Sequence, residues 1–301
     1  TEVKLREVGI ERNMDRHDAP DSAEQTTGPL GETTSYIDGY QPDLLHPMTR
    51  AATREAADVT QMLACHGSDR WTGYEFSWLD PVGKPQVAGL SFSVDCHSKC
   101  VVESKSLKLY LNGFAQTQFA DRDAVAGILR RDLGAAFAGQ LTLDLLPLDG
   151  LAKSLATAPG ECLDDLDAVC TDYQRAPQRL IRATAEASAG GANGAGEQCW
   201  YTHLFRSLCP VTGQPDWATV VIWYRGAPVD TKGLLQYLVS YRNHQAFHET
   251  TIERIYLDLM AHWEPTELAI LGCFQRRGGL DINPFRSSAP RSIAPLRLAR
   301  Q

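Results

Sequence analysis

The chain has 301 residues, 43% hydrophobic and 22% charged, which suits one large or two modest soluble domains, each with a real core. A formal net charge of −8 argues against a nucleic-acid backbone as partner. No run approaches the roughly 18 apolar residues of a membrane span, and Thr1 to Glu24 is polar, mixed in charge and without a signal-peptide pattern.

Residues 1 to 30 lack apolar periodicity and read as a tail that opens without an initiator methionine, as a processed or trimmed chain would. Gly31 to Leu45 is turn-rich, and Met48 to Ala64 is compatible with a short helix. Trp71 to Leu79 has the aromatic content of a strand, Gly83-Lys84-Pro85 is a turn, and Gln86 to Val94 alternates as a half-buried strand does. Leu107, Tyr110, Leu111 and Phe114 fall at helical spacing, with Ser104 or Ser106 as the expected cap. A second helix from Asp121 carries Val125, Ile128, Leu129 and Leu133 on one face, and Gln140 to Leu146 reads as a strand.

Asp149 to Gln198 is the least ordered-looking stretch, and its Gly/Ala-rich end over 189–196 is the best linker candidate. No G-x-G-x-x-G sits between a strand and a helix. Thr219 to Tyr224 is a strand, and Asp230 caps a helix bearing Leu234, Leu235, Leu238, Val239 and Tyr241. The next helix starts at Phe247-His248-Glu249, with Ile252, Ile255, Tyr256, Leu259 and Trp263 as its core face. Leu268 to Phe274 is a last strand, and Gly278-Gly279 opens a C-terminal loop.

The two halves echo each other. Laid over Thr231 to Tyr241, Ser104 to Phe114 matches Lys105 to Lys232, Leu107 to Leu234, Tyr110 to Tyr237 and Leu111 to Leu238. One inserted residue then brings Phe119 onto Phe247 and Asp121 onto Glu249. The expected design is α+β: two copies of a small antiparallel sheet with two helices on one face. The organisation is a tail over 1–30, a first module over 31–185, a linker over 186–198 and a second module over 199–301. Duplication followed by division of labour would put an active site between copies.

Chemistry concentrates in Cys209-Pro210-Val211-Thr212-Gly213-Gln214-Pro215-Asp216. The prolines disfavour helix at Cys209 and Gln214, and Gly213 is free to turn, so the segment is a stiff loop able to fold Asp216 back towards the Cys209 sulfur. Such a pair makes a nucleophile and a proton handler. The ordinary alternatives are a buried structural thiol and a turn aspartate. The eight cysteines, at 65, 96, 100, 162, 170, 199, 209 and 273, are scattered rather than set as a disulfide framework. They read as reduced thiols of a cytoplasmic protein.

Four segments, Glu103-Ser-Lys-Ser-Leu-Lys-Leu-Tyr110, Cys209 to Asp216, Phe247-His248-Glu249 and Arg276 to Pro284, resemble the NADPH-dependent 7-cyano-7-deazaguanine reductases of the queuosine (tRNA modification) pathway in their long two-module form. The resemblance runs from Gly31 to the C-terminus and implies tandem tunnelling-fold modules and a homodimer. The reaction it implies is the two-step reduction of the nitrile to 7-aminomethyl-7-deazaguanine, with two NADPH per turnover. It implies Cys209 as the nucleophile of a covalent thioimidate, Asp216 as proton carrier and His248 near the reacting group. Glu249 would accept from the N–H edge of the deazaguanine, and Val102, Glu103, Ser104 and Phe247 would line its pocket. Ser104, Lys105, Arg277 and Gly278 would receive the NADPH phosphates. Leu208, where a polar residue is expected, and Gly113, where serine is more frequent, depart from the family pattern. Taken singly, His248 reads as a surface or capping histidine, Glu249 as a first-turn acid, and Ser104-Lys105 as a solvated helix end.

Three rivals compete with this reading. A cysteine hydrolase or nitrilase would use Cys209, Asp216 and His248 but leave Lys105 and Arg277 without an anion. A zinc site built from Cys96, His97 and Cys100 with Cys65 and His66 rests on a weak spacing pattern, and no metal is expected. A purine- or pterin-binding module would keep Glu249 and have no use for the Cys-Asp loop.

Overall fold

The computed structural model describes residues 39–60, 64–152, 155–182 and 196–301. The expected tail and most of the expected linker lie outside these residues. Two long hairpins carry the architecture: β2 (His66–Leu79) with β3 (Pro85–Asp95), and β7 (Gln198–Leu208) with β8 (Pro215–Arg225). With β5 (Leu141–Leu146), β6 (Glu161–Cys162), β9 (Glu267–Phe274) and β10 (Leu280–Ser287) they form one eight-stranded sheet in the order β5-β3-β2-β10-β9-β8-β7-β6. Every pairing is antiparallel except the short β6–β7 contact. A separate two-stranded ladder joins β1 (Pro47–Thr49) to β4 (Cys100–Val102).

Helices α2 (Ser104–Asn112) and α3 (Arg122–Phe137) cover β2, β3 and β5, while α5 (Thr231–Val239) and α6 (His248–Trp263) cover β7, β8 and β9. The apolar faces expected from helical spacing are the ones buried. Leu107, Tyr110, Phe114, Val125, Leu129 and Leu133 enter one core, and Leu234, Leu238, Ile252, Ile255, Leu259 and Trp263 the other. Leu163 and Leu180 join the second core. Two further helices, α1 (Arg50–Glu55) and α4 (Leu148–Ala152), are short, and no helix among the described residues is long and apolar enough to cross a membrane.

The internal echo extends beyond the residues first matched. Both α2 and α5 are nine residues long, and both α3 and α6 are sixteen. Tyr110 donates its hydroxyl to Asp132 at 2.8 Å, and Tyr237 donates its own to Asp258 at 2.7 Å. The second helix of each pair ends on a left-handed residue, Ala138 at φ 48° and Glu264 at φ 46°. Helix starts place Asp121 opposite Phe247, so the sequence alignment of Asp121 with Glu249 is two residues out of register.

The hairpin turns match as well: Leu79-Asp80-Pro81-Val82-Gly83-Lys84-Pro85 echoes Leu208-Cys209-Pro210-Val211-Thr212-Gly213-Gln214-Pro215. Asp80 N–H donates to Lys84 O at 3.0 Å, as Cys209 N–H does to Gln214 O at 2.8 Å. Gly83 N–H donates to Asp80 O and Gly213 N–H to Cys209 O, both at 3.0 Å.

Several expectations are corrected. Among the described residues of Met48 to Ala64 the helix covers Arg50–Glu55 and is preceded by a strand. The cap of α2 is Glu103, whose carboxylate accepts from the N–H groups of Lys105 at 2.7 Å and Ser106 at 2.8 Å, and not Ser104 or Ser106. The stretch after Gly279 is β10 and not a loop; it pairs with β2 on one side and β9 on the other, and so fuses the two halves of the sheet. Strand β7 was not anticipated as an element.

Beneath that junction lies a buried ion cluster. Arg286 on β10, fully buried, reaches Asp69 on β2 at 2.7 Å and Glu253 on α6 at 2.8 Å. Arg50 bonds Asp69 at 2.5 Å, and Arg54 bonds Glu253 at 2.8 Å. Burial pushes both carboxyls up, but Arg286, with Arg50 for Asp69 and Arg54 for Glu253, outweighs it and holds both below the ordinary carboxylate range. The cluster ties α1, β2, α6 and β10 together across the two halves.

Candidate functional site

Cys209 occupies the turn between β7 and β8, held by the two backbone hydrogen bonds above, with Gly213 at φ 64° in the left-handed region that favours glycine. Asp216 is the second residue of β8, paired with Ser207. Both line one cleft, and both are nearly buried, Cys209 at 8% exposure and Asp216 at 4%. At Leu208 the backbone carries the role: its N–H donates to His244 O at 2.8 Å, and its carbonyl accepts from Ala246 N–H at 3.3 Å. These bonds fix the segment that leads into α6, and they do not depend on the side chain at 208.

That segment delivers Phe247, His248 and Glu249 to the cleft. Glu103, Asp121 and Asp230 cap α2, α3 and α5 with side chains, whereas Phe247 offers α6 none. His248 Nε2 lies 3.4 Å from Asp216 Oδ2, and its ring stacks on Phe274 at 4.0 Å with planes 16° apart. Its Nδ1 is buried without a hydrogen-bond partner among the described residues, as is the indole N–H of Trp71 on another wall. Glu249 is 4% exposed, and burial, with the charge of Asp69, raises its carboxyl above the ordinary value. Two cleft residues thus carry buried polar atoms without a partner among the described residues, which a bound ligand would satisfy.

The first half supplies Val102 from β4 and Ser104 and Lys108 from α2. Lys108 had not been singled out, although it stands four residues from Ser104 on the same helix face while Lys105 is rotated away. Burial lowers the Lys108 ammonium pKa, and the nearby Arg277 lowers it further. Arg277 lines the cleft too: Nη1 is 3.2 Å from Asp216 Oδ1, and Nη2 donates to Gln214 Oε1 at 3.1 Å and Pro215 O at 3.2 Å.

Of the expected site residues, Cys209, Asp216, Val102, Ser104, Phe247, His248, Glu249 and Arg277 share the cleft wall. Glu103, Lys105 and Gly278 are not among the residues that line it. Glu103 fills the N–H groups of the first turn of α2, so that helix start is not an open phosphate cradle. Gly278, at φ 58°, leaves room for Lys108: a Cβ there would lie 3.0 Å from its Cδ. The Gly113 departure also has a steric cause, since a Cβ would lie 2.4 Å from the carbonyl oxygen of Gly39.

A family model described as nitrile reductase, 7-cyano-7-deazaguanine-reductase N-term matches residues 36–145, and one described as QueF-like protein matches 215–292. The NADPH-dependent 7-cyano-7-deazaguanine reductase of Albidiferax ferrireducens is 46% identical over 290 residues, covering 91% of this chain and 98% of that protein. The protein of the same name from Verminephrobacter eiseniae is 44% identical over 283 residues, with coverage of 91% and 98%. The solved archaeosine synthase QueF-Like in the apo form is 15% identical with a TM-score of 0.29, covering 34% of this chain and 100% of that one, too slight a likeness to carry an argument. With two relatives aligned over nearly their whole length and both family models in order, the chain belongs to the NADPH-dependent 7-cyano-7-deazaguanine reductase family.

Proposed function

We propose that this cleft reduces the nitrile of 7-cyano-7-deazaguanine to the primary amine, 7-aminomethyl-7-deazaguanine, through a covalent adduct on Cys209, as a step of queuosine biosynthesis. The observation that carries the proposal is the convergence of Cys209, Asp216, His248 and Glu249 with Ser104 and Lys108 on one cleft. Glu249 accepts two hydrogen bonds from the N–H edge of the base, for which its buried carboxylate has the acceptor geometry. Phe247 and Val102 enclose the ring, and the unpartnered His248 Nδ1 contacts the substrate near the reacting group.

A nitrile carbon accepts hydride poorly. Addition of the Cys209 sulfur forms a C–S bond, while the thiol proton passes by way of Asp216 to the nitrile nitrogen, leaving a thioimidate. NADPH supplies one hydride to this carbon and, from a second molecule, one to the next intermediate. After the first, the C–S bond breaks, returning the thiolate and leaving an imine. The imine nitrogen takes a second proton along the Asp216 route as it becomes the amine. His248 and Arg277 hold the two carboxylate oxygens of Asp216 in place for both transfers.

The cations at the cleft fit the cofactor. Lys108 and Arg277 offer charge-assisted contacts to its phosphates, with Ser104 beside them. The chain is read as two tunnelling-fold modules that assemble as a homodimer in the cytoplasm, with none of its eight cysteines in a disulfide. Residues 161–182, which contribute Leu163 and Leu180 to the second core, are grouped with the second module, and the boundary is placed before them instead of at 185.

The test is NADPH absorbance with 7-cyano-7-deazaguanine, wild type against Cys209→Ala. Two NADPH oxidised per base, abolished in the variant, support the reaction. No oxidation with the base still bound leaves a binding module and removes the catalytic roles.

A further inference from the structure

We propose that Cys65, Cys96 and His97 form a zinc(II) site at the open end of the β2–β3 hairpin, separate from the catalytic cleft. None of the three lines that cleft. Sequence spacing offered a looser set that included Cys100 and His66; the fold selects three of the five. Cys65 immediately precedes β2, and Cys96 immediately follows β3. The antiparallel register, with Ser68 opposite Asp95 and Cys96 N–H donating to Gly67 O at 3.1 Å, brings the two side chains together.

Their sulfurs lie 3.9 Å apart. Two thiolates bound tetrahedrally at a Zn–S distance of about 2.3 Å are separated by about 3.8 Å, so the pair already spans the edge of a zinc tetrahedron. A disulfide, at about 2.05 Å, would need the sulfurs to close by nearly 2 Å.

His97 supplies the third donor, with one ligand atom from each of the three residues within 4.8 Å of the others. Its backbone N–H is anchored on Asp95 Oδ1 at 2.7 Å, and its Nε2 is 2.8 Å from Cys65 O. An Nε2–H given to that carbonyl leaves Nδ1 with a lone pair, which is how zinc-bound histidines are oriented by a backbone partner. Two thiolates and one imidazole are the soft donor set that zinc takes. They also cancel the charge of the ion, which matters beside Arg54 and Arg286; Arg54 Nη2 donates to Cys96 O at 3.1 Å. Both thiols are buried and His97 is exposed, so the fourth position faces water through the histidine side.

The test uses the full chain, reduced and stripped with a chelator, then titrated with cobalt(II) as the spectroscopic probe and with zinc(II) as competitor. One equivalent of cobalt should give thiolate charge-transfer absorption and tetrahedral visible bands that zinc abolishes. Cys96→Ser and His97→Ala should each weaken uptake at least tenfold, and Cys209→Ala should leave it unchanged. Zinc should also raise the melting temperature of the wild type and not of His97→Ala, a variant at an exposed side chain whose fold is checked by circular dichroism. The proposal is overturned by the absence of a thiolate band in the reduced protein, by uptake unchanged in Cys96→Ser and His97→Ala, or by uptake lost in Cys209→Ala.

Discussion

Replacing Glu249 with glutamine should weaken substrate binding and strengthen the fold at the same time. The carboxylate is 4% exposed, and burial first, then the neighbouring charge of Asp69, raises its folded-state pKa. For such an acid the unfolded chain ionises first as pH rises. Stability therefore falls from the ordinary carboxylate pKa up to the folded value, and the full cost persists above it. Glutamine keeps the shape and removes that cost, so Glu249→Gln should be more stable than wild type at neutral pH and level with it in acid. For binding, glutamine retains one acceptor and turns the other towards the N–H edge of the base as a donor. One charged hydrogen bond is worth about 1.5–3 kcal/mol, so the dissociation constant should rise roughly 10- to 150-fold. Calorimetric titration of 7-cyano-7-deazaguanine in a Cys209→Ala background isolates recognition from covalent capture, and urea unfolding measures the stability. An unchanged affinity would remove Glu249 from base recognition, and a less stable variant at neutral pH would refute the electrostatic account.

Arg286→Met should destabilise the protein by about 3–5 kcal/mol in urea unfolding, because it strips a fully buried cation from Asp69 and Glu253. The depressed folded-state pKa values of those carboxylates give stability that is present above their ordinary values and lost as pH falls through the folded ones. The urea midpoint of the wild type should accordingly drop on acidification below about pH 4, and more steeply than that of Arg286→Met. Gly113→Ser should lower the melting temperature, at a cost of about 1–3 kcal/mol, since its Cβ would lie 2.4 Å from Gly39 O. Lys108→Met should raise KM for NADPH at least roughly tenfold, because it removes a charged hydrogen bond to a phosphate, while calorimetric affinity for the base in the Cys209→Ala background stays the same.

Helix faces were legible in the sequence because Leu107, Tyr110 and Leu111, or Ile252, Ile255 and Leu259, repeat at the period of a helix and are buried where that period puts them. Strand β10 was not. Its Asp281, Asn283 and Pro284 read as a polar loop, and proline argues against a central strand. In the fold Asp281 is buried and accepts from the Tyr74 hydroxyl and from Asn283 Nδ2, so partners from β2 and within β10 make a polar sequence into a buried strand. The cap of α2 was misread because serine is the commoner N-cap; only the backbone geometry shows that Glu103 reaches both N–H groups. Cys65 and Cys96 are thirty-one residues apart, so spacing grouped them only loosely, and it is the hairpin register that brings their sulfurs together.

The duplicated hairpin bears on whether Cys209 is there for the fold or for chemistry. In the first half the equivalent turn, one residue shorter and closed by two corresponding backbone hydrogen bonds, carries Asp80 where the second carries Cys209, and Gln86 where the second carries Asp216. Asp80 spends its carboxylate on the turn itself, accepting from the N–H groups of Val82 at 3.1 Å and Lys84 at 2.9 Å and from Gln86 Nε2 at 3.2 Å. The turn thus forms without a thiol, and the backbone bonds that shape it are indifferent to the side chain at that position. A sulfur in the second copy adds nothing that the hairpin requires. Its neighbours point the same way: Asp216 is held by His248 and Arg277 at the cleft, whereas Gln86 returns to its own turn. Under the proposed function, the first half lends the cleft its β4–α2 segment and the second half the Cys209–Asp216 pair. Neither half alone supplies all of the residues that line this cleft.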